Sequence, residues 1–254
     1  MTWRMSSSTA TAQDKLASGR DCEDVAESRR RTAGDQVIAV LADGAGSASR
    51  AKEAAGLAVT TGVRVLEAID WRDAPSEGEV RSVLLLLLAE LGDAIRADCE
   101  VDAIATPSDY ACTLLAVVAS PRWLVTLQVG DGFVVASKSE GDYAVLIPPD
   151  KGEFANQTTF ATNARPNDAH VAVLHDFGGF FFVSSDGLEH LVLRLEDWSP
   201  HEPFFRALEA FTRASDSDAC LQTELDRFLT SPTVCERSDD DRSVVVGAYV
   251  GTNM

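Results

Sequence analysis

The sequence predicts an α+β fold in which antiparallel sheets are covered by helices. Strand and helix periods come in runs rather than in strict alternation, tight turns join successive strands, and several strands are apolar on both faces. A sheet whose strands hide both faces must be covered on both sides.

Reading along the chain, residues 1–12 are polar and Ser/Thr-rich and read as a loose terminus, while residues 13–254 show no linker, low-complexity tract or long-period repeat and read as one domain. The apolar run VIAVLA at residues 37–42 is the first strong strand. After Asp43-Gly44 and a Gly/Ser/Ala-rich stretch comes a helix, with Ala54, Ala58, Thr61, Val65 and Ile69 on one face. A break at Asp73-Ala74-Pro75 precedes a second amphipathic helix marked by Val80, Leu84, Leu87, Leu91 and Ile95.

From Cys112 the period becomes that of strands. CTLLAVV, then WLVTLQV, then FVVAS after Gly130-Asp131-Gly132 read as a meander. Residues 138–170 read mostly as loop around a short strand at 143–147. Strands return at VAVLH and FFFVS, helical periods follow near 201–214 and 216–229, and SVVVGAYV closes the chain.

Composition narrows the function. The 254 residues carry 22 Lys+Arg against 40 Asp+Glu, a formal charge of −18 that repels phosphate backbones and anionic lipid. Five scattered cysteines without a CxxC pair argue against a disulfide framework or a zinc site. The first residues lack a signal peptide's apolar core, and the most apolar run is too short to span a bilayer, so a cytoplasmic protein is expected. No GxxxxGK[ST], GxSxG or HExxH pattern occurs, and His170, His175, His190 and His201 have no metal-ligand spacing. Cys112, inside an apolar strand, reads as a small buried hydrophobe.

The informative regularity is acidic. Asp43, Asp131 and Asp186 each follow an apolar strand and precede a glycine; Asp239-Asp240-Asp241 precedes the last strand, and Glu23-Asp24 precedes the first strong one. For Asp131, flanked by strands, a hairpin turn is the simple explanation. Asp43 and Asp186 are followed by helical patterns, so a helix cap is the alternative there, and a solvated acidic loop is the alternative for 239–241. Strand ends gathered at one sheet edge would instead converge these carboxylates into an all-oxygen pocket suited to Mg²⁺ or Mn²⁺.

These residues resemble, in order, the motifs of the metal-dependent type 2C protein serine/threonine phosphatases, in their compact bacterial branch. Gly19-Arg20-Asp21-Cys22-Glu23-Asp24 resembles the opening Arg…(Glu/Gln)-Asp element, VLADGAGSA the VADGxGG element, Ala111-Cys112-Thr113-Leu114 the GTT-L strand, and VGDGF the VGDSR element. FFFVSSDGLEHLV is similar to LLLCSDGL, Asp240-Asp241-Arg242-Ser243-Val244 to the closing DN-x-T-V, and Gly152 to Phe160 to a segment recurrent in that branch.

The resemblance implies an αββα sandwich, two antiparallel sheets flanked by helices, and hydrolysis of phosphoserine or phosphothreonine by metal-activated water. It implies two Mn²⁺ or Mg²⁺ ions, with a third weak site. Asp43 would bridge the two ions and the Gly44 carbonyl would bind one. Asp186 and Asp240 would complete the first set, Glu23 and Asp24 would hold the second, and Asp131 with Asp186 the third. Asp43, Asp186 and Asp24 would thus be the catalytic carboxylates, and Arg20 would bind the substrate phosphate. A phosphoprotein substrate and an opposing Ser/Thr kinase are the implied partners. The sequence departs from the family pattern in several places: the Arg20–Asp24 interval is one residue short, Ala45 stands where some members carry His, Phe133 replaces the Arg of VGDSR, residues 138–170 make a short flap, and Asp241 replaces the usual Asn, which leaves Asp240 and Asp241 as alternative ligands. An inactive binding module of the same fold and a small-molecule phosphomonoesterase are the competing readings.

Overall fold

The structure, a computed structural model, describes residues 2–251 except 32–34, 72, 103, 140–141 and 150–157. In chain order its elements are β1 (Thr2–Ala10), α1 (Gln13–Ala17), β2 (Val25–Arg30), β3 (Val37–Ala42), α2 (Ala51–Ala68), α3 (Glu77–Val101), β4 (Leu114–Ala119), β5 (Leu124–Val129), β6 (Phe133–Ser139), β7 (Asp142–Val145), β8 (His170–Leu174), β9 (Phe180–Ser184), α4 (Glu189–Val192), β10 (Leu193–Arg194), β11 (Ser199–Pro200), α5 (Glu202–Ala214), α6 (Asp218–Leu229), α7 (Pro232–Cys235) and β12 (Arg242–Val250).

Two five-stranded antiparallel sheets result, ordered β1-β12-β9-β6-β7 and β2-β3-β4-β5-β8. The period-two side-chain alternation of each central strand divides its apolar residues between two layers. In β3, Val37, Ala39 and Leu41 enter the layer between the sheets, where they join Leu115, Val117, Phe181, Val183 and Val245. Ile38, Val40 and Ala42 face the other way, into a core closed by α2 and α3. Phe180 and Phe182 of β9 likewise face α5 and α6, against Phe205, Leu221 and Leu225. This is the expected αββα sandwich, three apolar layers deep.

The long helices obey their local signals. Ser76 caps α3 by accepting from the Glu79 N–H while the Glu79 carboxylate accepts from the Ser76 N–H, and Val80, Leu84, Leu87, Leu91 and Ile95 are buried at the expected spacing.

Two expectations are corrected. Residues 2–10 are not a loose terminus: they form the edge strand β1, paired with β12 from Thr2↔Val250 to Ala10↔Arg242. Trp3 and Met5 drop into the layer between the sheets, and the buried Ser6 and Ser8 donate to Gln222 and Asp226 of α6. The polar composition that suggested a loose segment is satisfied by a helix more than 200 residues away in sequence. The meander is also broken. β4 and β5 pair, but β5 and β6 belong to different sheets, so Gly130-Asp131-Gly132 is a crossing rather than a hairpin turn. Gly130 makes the crossing at φ +108, a conformation that favours glycine.

Candidate active site

The crossings and strand ends meet at one edge of the sandwich. At the end of β3, the Asp43 N–H donates to the Thr113 hydroxyl at 3.0 Å, and the Thr113 N–H returns a bond to the Asp43 carbonyl at 2.8 Å. The Gly44 N–H donates to the Glu23 carbonyl at 3.2 Å, which ties the segment before β2 to the same strand end. Both non-hairpin Asp-Gly pairs have a steric reason for their glycine. A Cβ on Gly44 would lie 2.4 Å from the Ala51 carbonyl oxygen, and one on Gly187 would lie 2.1 Å from that of Asp241. Neither aspartate caps a helix: the residue before α2 is Arg50, and that before α4 is Leu188.

Asp43, Gly44, Asp131, Asp186 and Asp240 line one cleft of about 270 Å³, together with Lys15, Thr113, Thr158 and Phe160. Asp24 lies buried behind Asp43, and Glu23 is half-buried at the margin, its Oε2 3.8 Å from where a Cβ on Gly46 would stand. Thr158 donates to Asp131 Oδ2 at 2.6 Å. The expected segment at Gly152 lies outside the described residues as far as residue 157. Among the described residues, no three His, Cys, Asp or Glu side chains already close around a point at ligating distance.

Their electrostatics fit a cation. Burial, then the charges of Asp24, Asp186 and Asp240, pushes Asp43 well above the usual carboxylate range. Burial, reinforced by Asp131 and Asp240, raises Asp186 to about 8. Asp24 rises to about 6 through burial. Neither Asp24 oxygen nor Asp186 Oδ1 accepts a hydrogen bond. The Ser185 and Ser243 hydroxyls, bonded to each other at 3.0 Å, lie near enough to Asp24 to restrain its rise without reaching its oxygens in bonding geometry. Buried, unpartnered carboxylate oxygens are costly unless a cation or proton compensates them, and an all-oxygen donor set suits Mg²⁺ or Mn²⁺.

The structure separates the adjacent Asp240 and Asp241. Asp240 is exposed and lines the cleft, with its Oδ1 accepting from the Asp241 N–H at 2.7 Å. Asp241 is buried and engaged elsewhere: it accepts from the Ala12 N–H at 2.7 Å, the Glu23 N–H at 2.7 Å and Lys15 Nζ at 2.8 Å. These donors, against the effect of its burial, hold its carboxyl below the usual range.

Arg20, unlike Asp24 and Glu23, has no contact with the acids of the cleft. Its exposed guanidinium, just after α1, pairs with Asp14 at 3.2 Å and bonds the Ser18 hydroxyl. Among the described residues, the cationic side chain lining the cleft is Lys15, held at 2.7 Å from Glu23 Oε2 and 2.8 Å from Asp241 Oδ2. Nothing in the sequence marks Lys15, since one of the two carboxylates that fix it is 226 positions away. Among the described residues, no histidine lines the cleft. All five cysteines are free, and burial and Asp43 push the Cys112 thiol up to about 12, consistent with a packing residue.

Comparison with known proteins gives concordant results. The family model described as Protein phosphatase 2C matches residues 13–230. The chain is 32% identical over 263 residues to serine/threonine-protein phosphatase 3 of Escherichia coli strain K12, covering 98% of this chain and 99% of that protein. The solved serine/threonine phosphatase of S. agalactiae has a similar fold, with TM-score 0.68 and 18% identity over 98% of this chain and 100% of that one. That of Mycobacterium tuberculosis superposes with TM-score 0.65 and 14% identity over 99% and 100% of the two chains.

Proposed function

This chain belongs to the protein phosphatase 2C family, whose members depend on Mg²⁺ or Mn²⁺, and from that premise we propose that it hydrolyses phosphoserine and phosphothreonine in proteins. The observation that carries the reading is the convergence of Asp43, Asp131, Asp186 and Asp240 on one cleft, with buried oxygens of Asp24 and Asp186 left without a hydrogen bond. Asp43, the Gly44 carbonyl, Asp186 and Asp240 would hold one ion, Glu23 and Asp24 a second, and Asp131 with Asp186 a third, weaker one. Bound divalent cations supply an acidified water as nucleophile and offset the charge that develops on the phosphoryl oxygens.

The chain's own part is to prepare that site. Thr113 fixes the end of β3, and hence Asp43, through the paired bonds at 3.0 and 2.8 Å. The Asp241 N–H orients Asp240 toward the cleft. Mutual repulsion and burial keep Asp43 and Asp186 poised to exchange a proton for a cation. With Ala45 in the lining, no imidazole among the described residues stands in the cleft to protonate the leaving oxygen. No described helix is long and apolar enough to cross a membrane, and a cytoplasmic phosphatase opposing a Ser/Thr kinase is the setting we propose.

The test is hydrolysis of a phosphothreonine peptide with Mn²⁺, with EDTA, and after Asp43→Asn. Metal-dependent turnover that falls by at least about a thousandfold in the variant is expected, the scale of losing a group that acts on transition-state charge. Metal-independent turnover, or a fully active Asp43→Asn, would refute the reading. Divalent-ion binding without turnover of any phosphoester would point instead to an inert binding module.

A further inference from the structure

A phosphomonoester that enters a cleft walled by aspartates needs positive charge from the chain as well as from bound ions. Among the described residues lining that cleft, the cationic side chain is Lys15. Its ammonium has three N–H donors. One goes to Glu23 Oε2 at 2.7 Å and one to Asp241 Oδ2 at 2.8 Å, which leaves the third for whatever occupies the cleft. The Lys15 side chain is only 10% exposed, and Asp241 beneath it is anchored by the Ala12 and Glu23 N–H groups. The ammonium is thus fixed before substrate arrives, and a preorganised donor needs no reorganisation at the moment of binding. Arg20, by contrast, is 48% exposed in its side chain and paired with Asp14.

We propose that Lys15, held by Asp241 and Glu23, is the residue of this chain that contacts the phosphoryl oxygens of the substrate. The proposal rests on the phosphatase reading and adds its substrate-phosphate contact. The competing possibility is that Lys15 only neutralises Asp241 and Glu23. The two differ in what happens when Lys15 and Asp241 are removed together. A purely structural lysine becomes dispensable once its buried partner is uncharged, whereas a phosphate contact is lost all the same.

The experiment measures inorganic phosphate binding by calorimetry to the Mg²⁺-loaded full chain, together with competitive inhibition of phosphothreonine-peptide hydrolysis by the same anion. The proteins are wild type, Lys15→Met, Lys15→Arg, Lys15→Met/Asp241→Asn and Arg20→Ala. The expected result is a phosphate affinity about ten- to a hundredfold weaker in Lys15→Met and in the double variant, the scale of one charge-assisted hydrogen bond. Partial recovery is expected in Lys15→Arg, and a change of under about twofold in Arg20→Ala. Affinity for Mg²⁺ alone should not fall in Lys15→Met. Should Lys15→Met fail to fold, the double variant carries the test, because it leaves no unpaired buried charge at Asp241. Wild-type phosphate affinity in the double variant, or an equal loss in Arg20→Ala, would overturn the proposal while leaving the phosphatase reading in place. A wild type without metal-dependent turnover would refute that reading and the proposal with it.

Discussion

Stripping the protein of divalent ions and raising the pH should destabilise it. Asp186 has a folded pKa near 8 and Asp24 one near 6, each raised above the ordinary value of 3.8. Between the unfolded and folded values the native state binds a proton that the unfolded chain does not, so stability falls as pH rises through that interval. Each unit of difference is worth about 1.4 kcal/mol. Between about pH 5 and pH 8, Asp186 therefore loses about 4 kcal/mol and Asp24 a further ~1.4 kcal/mol. Because the two groups share neighbours, their contributions overlap, and about 3–5 kcal/mol is the working expectation. In a chain of this size that corresponds to a fall in Tm of roughly 6–20 °C. The depressed pKa of Asp241 acts below this window and the raised pKa of Lys15 above it, while the raised pKa of Asp43 works in the same direction as those of Asp186 and Asp24.

A divalent ion binds the deprotonated carboxylates and should reverse the trend. Saturating Mn²⁺ should raise Tm far more near pH 8 than near pH 5, where it must displace protons. The assay is a thermal melt across this pH range in EDTA and in Mn²⁺. A metal-free Tm that stays flat or rises toward pH 8, or a Mn²⁺ shift equal at both ends, would refute the argument that these carboxylates are held uncompensated.

Two further outcomes separate neighbours in sequence and in space. Asp240→Asn should weaken Mn²⁺ binding at nearly unchanged stability, since its side chain is exposed. Asp241→Asn should cost about 2–3 kcal/mol in urea unfolding, because Lys15 and two backbone N–H groups lose a charged acceptor; the opposite pattern would reverse the two roles. Trp3→Ala should cost about 3–5 kcal/mol, because the indole is 3% exposed, packs on Phe177, Phe181 and Tyr249, and donates to the Asp35 carbonyl at 2.9 Å. A loss under about 0.5 kcal/mol would mean that the N-terminal segment is loose after all.

How much of this was legible depends on where each residue finds its partners. β3, β4, β9 and β12 carry apolar side chains in both phases, so their burial on two faces could be read directly. α3 announces itself through Ser76, Glu79 and a regular apolar stripe. β2, with the sequence VAESRR, is half-exposed and offers no such pattern. β1 hides because Ser6 and Ser8 are buried against Gln222 and Asp226, a compensation that no local window contains. The acids at strand ends were legible because each combines a chemical type with a topological position. Their division of labour was not: the pairing of Asp241 with Lys15 spans nearly the whole chain, and the pairing of Arg20 with Asp14 is visible only in the folded chain.

That division accounts for why so acidic a cleft remains open to cations. Lys15 neutralises charge permanently, but at Asp241 and Glu23, to one side of Asp43, Asp24 and Asp186. Were an ammonium held among those three instead, their pKa values would fall and their attraction for a divalent ion would fall with them. The chain compensates Asp241 and Glu23 and leaves Asp24, Asp43 and Asp186 without a cationic partner. In the reading proposed above, the instability stored in Asp24, Asp43 and Asp186 is free energy that a bound cation would recover. A fold that self-neutralised all of its buried acids would be more stable without metal and would have little use for it.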